Sequence, residues 1–120
     1  MRHKPRTAVR TQETFNAYER FKQEAPDGCP LCRSESIEEY EHWRMIPNDF
    51  PYDTIADEHC MLLPKEHIGV FEEMADNVRQ EYNAILASLD RFDAVLRNFP
   101  KQQTIPEHFH AHLLAYKVIE

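Results

Sequence analysis

Apolar residues recur at three- and four-residue intervals in two stretches of the chain and at alternate positions in a third. In residues 11–25, Phe15, Tyr18, Phe21 and Ala25 stand among charged neighbours, the spacing of an amphipathic helix opened by Thr11. Pro26-Asp27-Gly28 stops it. The second series is longer: Phe71, Met74, Val78, Tyr82, Ile85, Leu89, Phe92, Leu96 and Phe99 predict one long helix over about residues 70–98. Glu72, Glu73 and Asp76 lie near its positive end, Arg91 and Arg97 near its negative end, and Pro100 closes it. Residues 42–46 and 59–63 read as short strands around the turn chemistry of Pro47-Asn48-Asp49-Phe50-Pro51-Tyr52-Asp53. Residues 108–119 form the longest strand candidate, with a period of two. The expected architecture is an α+β domain, with an antiparallel sheet packed by one face on the long helix.

Composition narrows the class. At 120 residues the chain accommodates one domain with a real core, expected over residues 11–120. Net charge is -7, with 42% apolar and 29% charged residues, which describes an ordinary globular chain. Arg2, Lys4, Arg6 and Arg10 give residues 1–10 a charge of +4 and leave -11 on the remainder. Residues 1–10 therefore read as a basic, solvated tail, and the acidic body disfavours nucleic acid as a partner. No apolar run approaches the roughly 20 residues of a membrane span, and no secretory signal is visible. The three Cys accordingly read as metal ligands or buried thiols in a reducing, cytoplasmic compartment.

Two constellations carry chemistry. Cys29-Pro30-Leu31-Cys32, after Asp27-Gly28, has the spacing of a zinc knuckle; with no second pair of this kind, His must complete a tetrahedral site. A redox dithiol would place the first Cys at a helix start inside a strand-helix-strand unit. Here the pair follows a helix and an acidic loop, which favours zinc. The second constellation is His108-Phe109-His110-Ala111-His112-Leu113-Leu114. In a strand, three imidazoles would line one face at roughly 6 to 7 Å while Phe109, Ala111 and Leu113 enter the core. Such a row is a site for metal, phosphate or nucleophilic chemistry.

Residues 108–114 resemble the motif of the histidine triad superfamily, in which three His alternate with apolar residues. Asn48-Asp49-Phe50-Pro51-Tyr52 is similar to that family's nucleoside-pocket turn, and His59-Cys60-Met61-Leu62-Leu63-Pro64-Lys65-Glu66-His67 to its strand ending in Pro-Lys-x-His. Cys29-x-x-Cys32 resembles the zinc knuckle of many bacterial members. The resemblance spans about residues 28–114, in the family's order.

The resemblance implies a nucleotidyl hydrolase or transferase acting on a nucleoside phosphate ester, anhydride or phosphoramidate. By that likeness His110 is the nucleophile that forms a nucleotidyl-histidine, His112 contacts the phosphate, and His59 hydrogen-bonds within the triad. Cys29, Cys32, His67 and His108 match the ligands of a structural Zn²⁺, while Asn48, Phe50 and Pro51 match nucleoside-pocket residues. Homodimers are common in the family. Between Phe99 and His108 the chain departs from the pattern, because the family has a further strand and a glycine-rich phosphate loop there. This chain has Pro100-Lys101-Gln102-Gln103-Thr104-Ile105-Pro106-Glu107, in which Gln103 and Thr104, with Lys101 and Gln102, offer side-chain donors instead. The alternative is a zinc-stabilised nucleotide-binding or regulatory module with little turnover.

Overall fold

The computed structural model describes residues 6–25, 27–103 and 105–119. Helix α1 (Gln12–Glu24) begins where the sequence places it, because the Thr11 side chain accepts the amide hydrogen of Thr14. A one-turn helix α2 (Pro30–Arg33) follows Cys29, with Pro30 in its first turn. Strands β1 (Glu38–Glu39), β2 (Trp43–Pro47) and β3 (Ala56–Pro64) lead to α3 (Asp76–Ser88), and β4 (Ala94–Leu96) and β5 (Ala111–Tyr116) complete the chain. The sheet is wholly antiparallel, with strand order β1-β2-β3-β5-β4.

The alternation of the strands sorts side chains to two buried faces. Trp43 and Met45, Cys60 and Leu62, and Ala111 and Leu113 join Phe109 and meet Tyr82 and Ile85 of α3. Ile46, Met61 and Leu63 point the other way and meet Leu31 of α2. Burying both faces explains why β3 is buried almost throughout its second half rather than alternating. Among the described residues no helix is long and apolar enough to cross a membrane.

The helix expected over 70–98 is shorter. Phe71–Glu73 forms a separate 3-10 turn, and α3 stops at Ser88. The Ser88 hydroxyl donates to the Ile85 carbonyl (2.9 Å), as does the Leu89 amide (3.1 Å), which ends the ladder. Beyond this point Asp90 and Asp93 would place acids at the negative end of a continued helix. Asp93 instead clamps β4 to β5: its amide donates to Leu114 O (2.8 Å), and its carboxylate accepts from the Tyr116 amide (2.7 Å). Contrary to expectation, a strand does lie between helix and triad, as β4, hidden by a three-four spacing that Phe92 and Leu96 continue for another reason. These side chains still pack on the core from outside a helix.

Candidate active site and metal centre

The extended segment 108–112 distributes its three His to different surroundings. His108 and His110 precede the first paired residue of β5, and His112 pairs with Met61 across β3. All three are buried. Phe109 and Ala111 lie on the α3 side, as the alternation predicts.

His108 faces the cysteine knuckle. Its Nε2–H donates to Pro64 O (2.9 Å), because a carbonyl can only accept. Its Nδ1 lone pair is thereby turned to Cys29 Sγ (3.6 Å) and Cys32 Sγ (3.4 Å), and His67 Nδ1 lies 3.2 Å from Cys32 Sγ. One ligand atom from each of the four residues lies within 4.8 Å of all the others. Around a tetrahedral Zn²⁺, bonds of about 2.3 Å to sulfur and 2.0–2.1 Å to nitrogen put sulfur and nitrogen roughly 3.5 Å apart, so the donor set and its spacing fit such an ion. Burial and the adjacent Cys29 thiol push the Cys32 thiol up, and a bound dication would reverse that.

Both glycines of the chain serve this cluster. Gly28 enters the knuckle at φ 104°, a conformation that costs glycine little. At Gly69 a Cβ would come within 2.3 Å of Pro106 O. That bare backbone lets the segment after His67 lie against the segment before His108, where the Phe109 amide donates to Ile68 O (2.8 Å).

The other end of the row is a chain of imidazoles. The Tyr52 amide donates to His59 Nδ1 (2.9 Å), so His59 carries its proton on Nε2 and donates to His112 Nδ1 (2.8 Å). His112 must then hold its own proton on Nε2. Asn48 is turned by the bond from the Phe50 amide to its Oδ1 (2.8 Å), leaving its Nδ2 3.3 Å from His59. His110 Nδ1–H donates to His108 O (3.0 Å), which leaves the Nε2 lone pair free. Burial lowers the pKa of all three. His59 falls to about 4, with Arg10 as a second cause; for His112, burial is followed by the charges of His59, His110 and Arg10. His110 is lowered by burial against the opposing bond to His108. All three are neutral at pH 7.

His110 and His112 open on a cleft of about 360 Å³ on the side of the sheet away from α3, within the size range of ligand sites. Asn48 and Phe50 line it. Pro51 is not part of the lining, nor is Gln103, whose amide donates to Asn98 O (3.2 Å). Gln102 takes the place expected of Gln103, and Thr104 lies outside the described residues. His59 sits behind His112 rather than on the cleft wall.

The wall opposite the triad comes from the N-terminal part of the chain. Phe15, Tyr18 and Phe21 of α1 line the cleft, with Tyr18 and Phe21 5.2 and 5.1 Å from the Phe50 ring. Arg10, expected within a solvated tail, lines it too, and Val9 packs beside Tyr52, Ala56 and Leu114. The cap at Thr11 shows only that residues 9 and 10 stand at the start of that helix; their place against Tyr52 rests on contacts distant in sequence.

No family model matches the chain, and no curated protein matches its sequence. Solved structures do. A histidine triad protein from Clostridium difficile superimposes with a TM-score of 0.57 at 21% identity, over 77% of this chain and 93% of that one. A HIT family hydrolase from Legionella pneumophila Philadelphia 1 gives 0.56 at 18% identity, over 78% and 96%. A HIT family hydrolase from Clostridium thermocellum gives 0.52 at 23%, over 76% and 92%. At these identities the likeness is one of architecture alone. The chain has the histidine triad fold.

Proposed function

We propose that the protein is a zinc-stabilised histidine triad enzyme that transfers or hydrolyses the nucleotidyl group of a nucleoside phosphate ester, anhydride or phosphoramidate through His110. The observation that carries this reading is the fixed proton arrangement of the triad. His110 is neutral, its Nδ1–H is held by a carbonyl, and its Nε2 lone pair is free beside a cleft. An imidazole in that state is a nucleophile at neutral pH.

In the first step the Nε2 lone pair attacks the α-phosphorus. A P–N bond forms as the bond to the leaving group breaks, and the leaving group departs with that electron pair. The ring then carries positive charge, which the His108 carbonyl stabilises through Nδ1–H. His112, with its proton on Nε2, offers a hydrogen bond to a phosphoryl oxygen. Water next attacks phosphorus, the electron pair returns to Nε2, and the water proton passes to solvent. Cys29, Cys32, His67 and His108 would hold Zn²⁺ in a closed, structural site. Held there, these four residues would fix the backbone whose carbonyl anchors His110.

Two structures that share the fold are named HIT family hydrolases, which agrees with this reading, while the argument for it rests on the site chemistry rather than on the fold. Incubation with adenosine phosphoramidate or a dinucleoside polyphosphate should release nucleoside monophosphate, with loss of activity in His110→Ala. Release that survives this substitution would overturn the covalent route. Nucleotide binding without any turnover would favour the regulatory-module reading, for which the glycine-free segment before the triad is the specific support.

A further inference from the structure

We propose that Arg10 is the phosphate-binding cation of this cleft, doing with a guanidinium what a glycine-rich loop would do with backbone amides; the assignment rests on the nucleotide reading above. Segment 100–107 contains no glycine. Its first residues form a 3-10 turn, and the Gln103 amide is spent on Asn98. A phosphate in this cleft therefore draws its positive charge from elsewhere in the wall.

Two described cations line the cleft, Arg10 and Lys22. Lys22 is already neutralised by Glu19, at 2.8 Å. None of the ion pairs of the described residues involves Arg10. Its guanidinium is held by other means: 4.6 Å from the centre of the Tyr18 ring, 4.9 Å from that of Tyr52, and by Nε–H donated to Phe50 O (2.7 Å). The Tyr52 ring is in turn stacked on His112 at 5.1 Å. With Nε committed to a carbonyl and no hydrogen bond from either terminal nitrogen among the described residues, those donors are left for an anion, in the fork that suits phosphate oxygens. The rings fix the plane of that fork before any ligand arrives, so little side-chain freedom is lost on binding.

The backbone holding Arg10 is itself tied down. The Thr54 amide donates to Val9 O (3.3 Å), the Thr54 hydroxyl to Ala8 O, and Arg6 to Arg10 O (2.8 Å). The Thr11 amide and hydroxyl bind the Asp53 carboxylate at 2.9 and 3.0 Å. The charge of Arg10 is also felt at His59 and His112, where it opposes protonation.

The test compares nucleoside monophosphates with their parent nucleosides, all four common bases, by calorimetric titration of the intact protein, Arg10→Gln and Arg10→Lys. Melting curves and metal content establish that each variant is folded. Wild type should bind at least one monophosphate more tightly than its nucleoside. Arg10→Gln should weaken that monophosphate by roughly 10- to 100-fold and leave the nucleoside unchanged, with Arg10→Lys between the two. Equal monophosphate binding by wild type and Arg10→Gln overturns the role of Arg10 alone. Equal loss of monophosphate and nucleoside also overturns it, because the side chain would then act by packing Tyr18 and Tyr52. Absence of nucleotide binding by wild type overturns the nucleotide reading and this proposal with it.

Discussion

His108 and His112 stand four residues apart on one extended segment, yet their Nδ1 atoms meet opposite partners. His108 Nδ1 faces two thiols and a second imidazole beside exposed Cys32 and His67, a donor set that fits a metal cation. His112 Nδ1 is already satisfied by the Nε2–H of buried His59. Both rings are oriented by main-chain groups two steps away at most: Pro64 O for the first, and the Tyr52 amide, through His59, for the second. One end of the row thus joins a cluster that could hold a metal ion, while the other holds protons in place. His110 lies between them, anchored to the backbone of His108 and opening on the same cleft as His112.

The largest effect should come from the residue between the two ends. His110→Ala is expected to lower nucleotidyl release by at least about a thousandfold, with metal content and melting temperature little changed. A modest loss would show that the proton-holding end alone carries the reaction. Next is the cluster at the other end. Cys29→Ala should abolish binding of about one zinc per chain and lower the melting temperature by roughly 10–20 °C, as read by metal analysis and thermal unfolding. Metal-free protein of unchanged stability would refute the scaffold role.

The contrast was only partly legible in the sequence, for identifiable reasons. Short-range spacing exposed the knuckle and the alternating His, since chemistry-bearing residues stand close together there. The fold class and Thr11 cap were readable because local periodicity and capping are local properties. The end of α3 was not: Leu89, Phe92 and Leu96 keep helical spacing while the chain has turned into a loop and an edge strand, and only the long-range bonds of Asp93 to β5 reveal it. The placement of Arg10 against Tyr52 depends on contacts some 40 residues apart in sequence, which no local pattern encodes. Proton positions were equally hidden, because they follow from which carbonyl or amide each ring meets.

The buried imidazoles make stability depend on pH. With the pKa of His59 near 4 in the folded state and about 6.5 when unfolded, the unfolded chain holds the extra proton between those values. Stability must therefore fall as pH falls from about 6.5 to 4, by about 3 kcal/mol from His59 alone. Denaturant titrations across that range in wild type and His59→Phe check it; an equal slope in both would remove His59 as the cause. The smallest effect is on turnover. His59→Phe frees the tautomer of His112, and kcat should drop by about tenfold with KM nearly unchanged. A change confined to KM would instead make His59 a packing residue.

The central claim is that His110 Nε2 becomes covalently bound to phosphorus. The most direct measurement is an alkaline quench during turnover of adenosine phosphoramidate, followed by mass spectrometry of the peptides. The account predicts an adduct of one nucleoside monophosphate on the peptide carrying residues 108–112, localised to His110 and absent from His110→Ala. Product formation with no adduct on any histidine, in a quench that captures the first turnover, would contradict it.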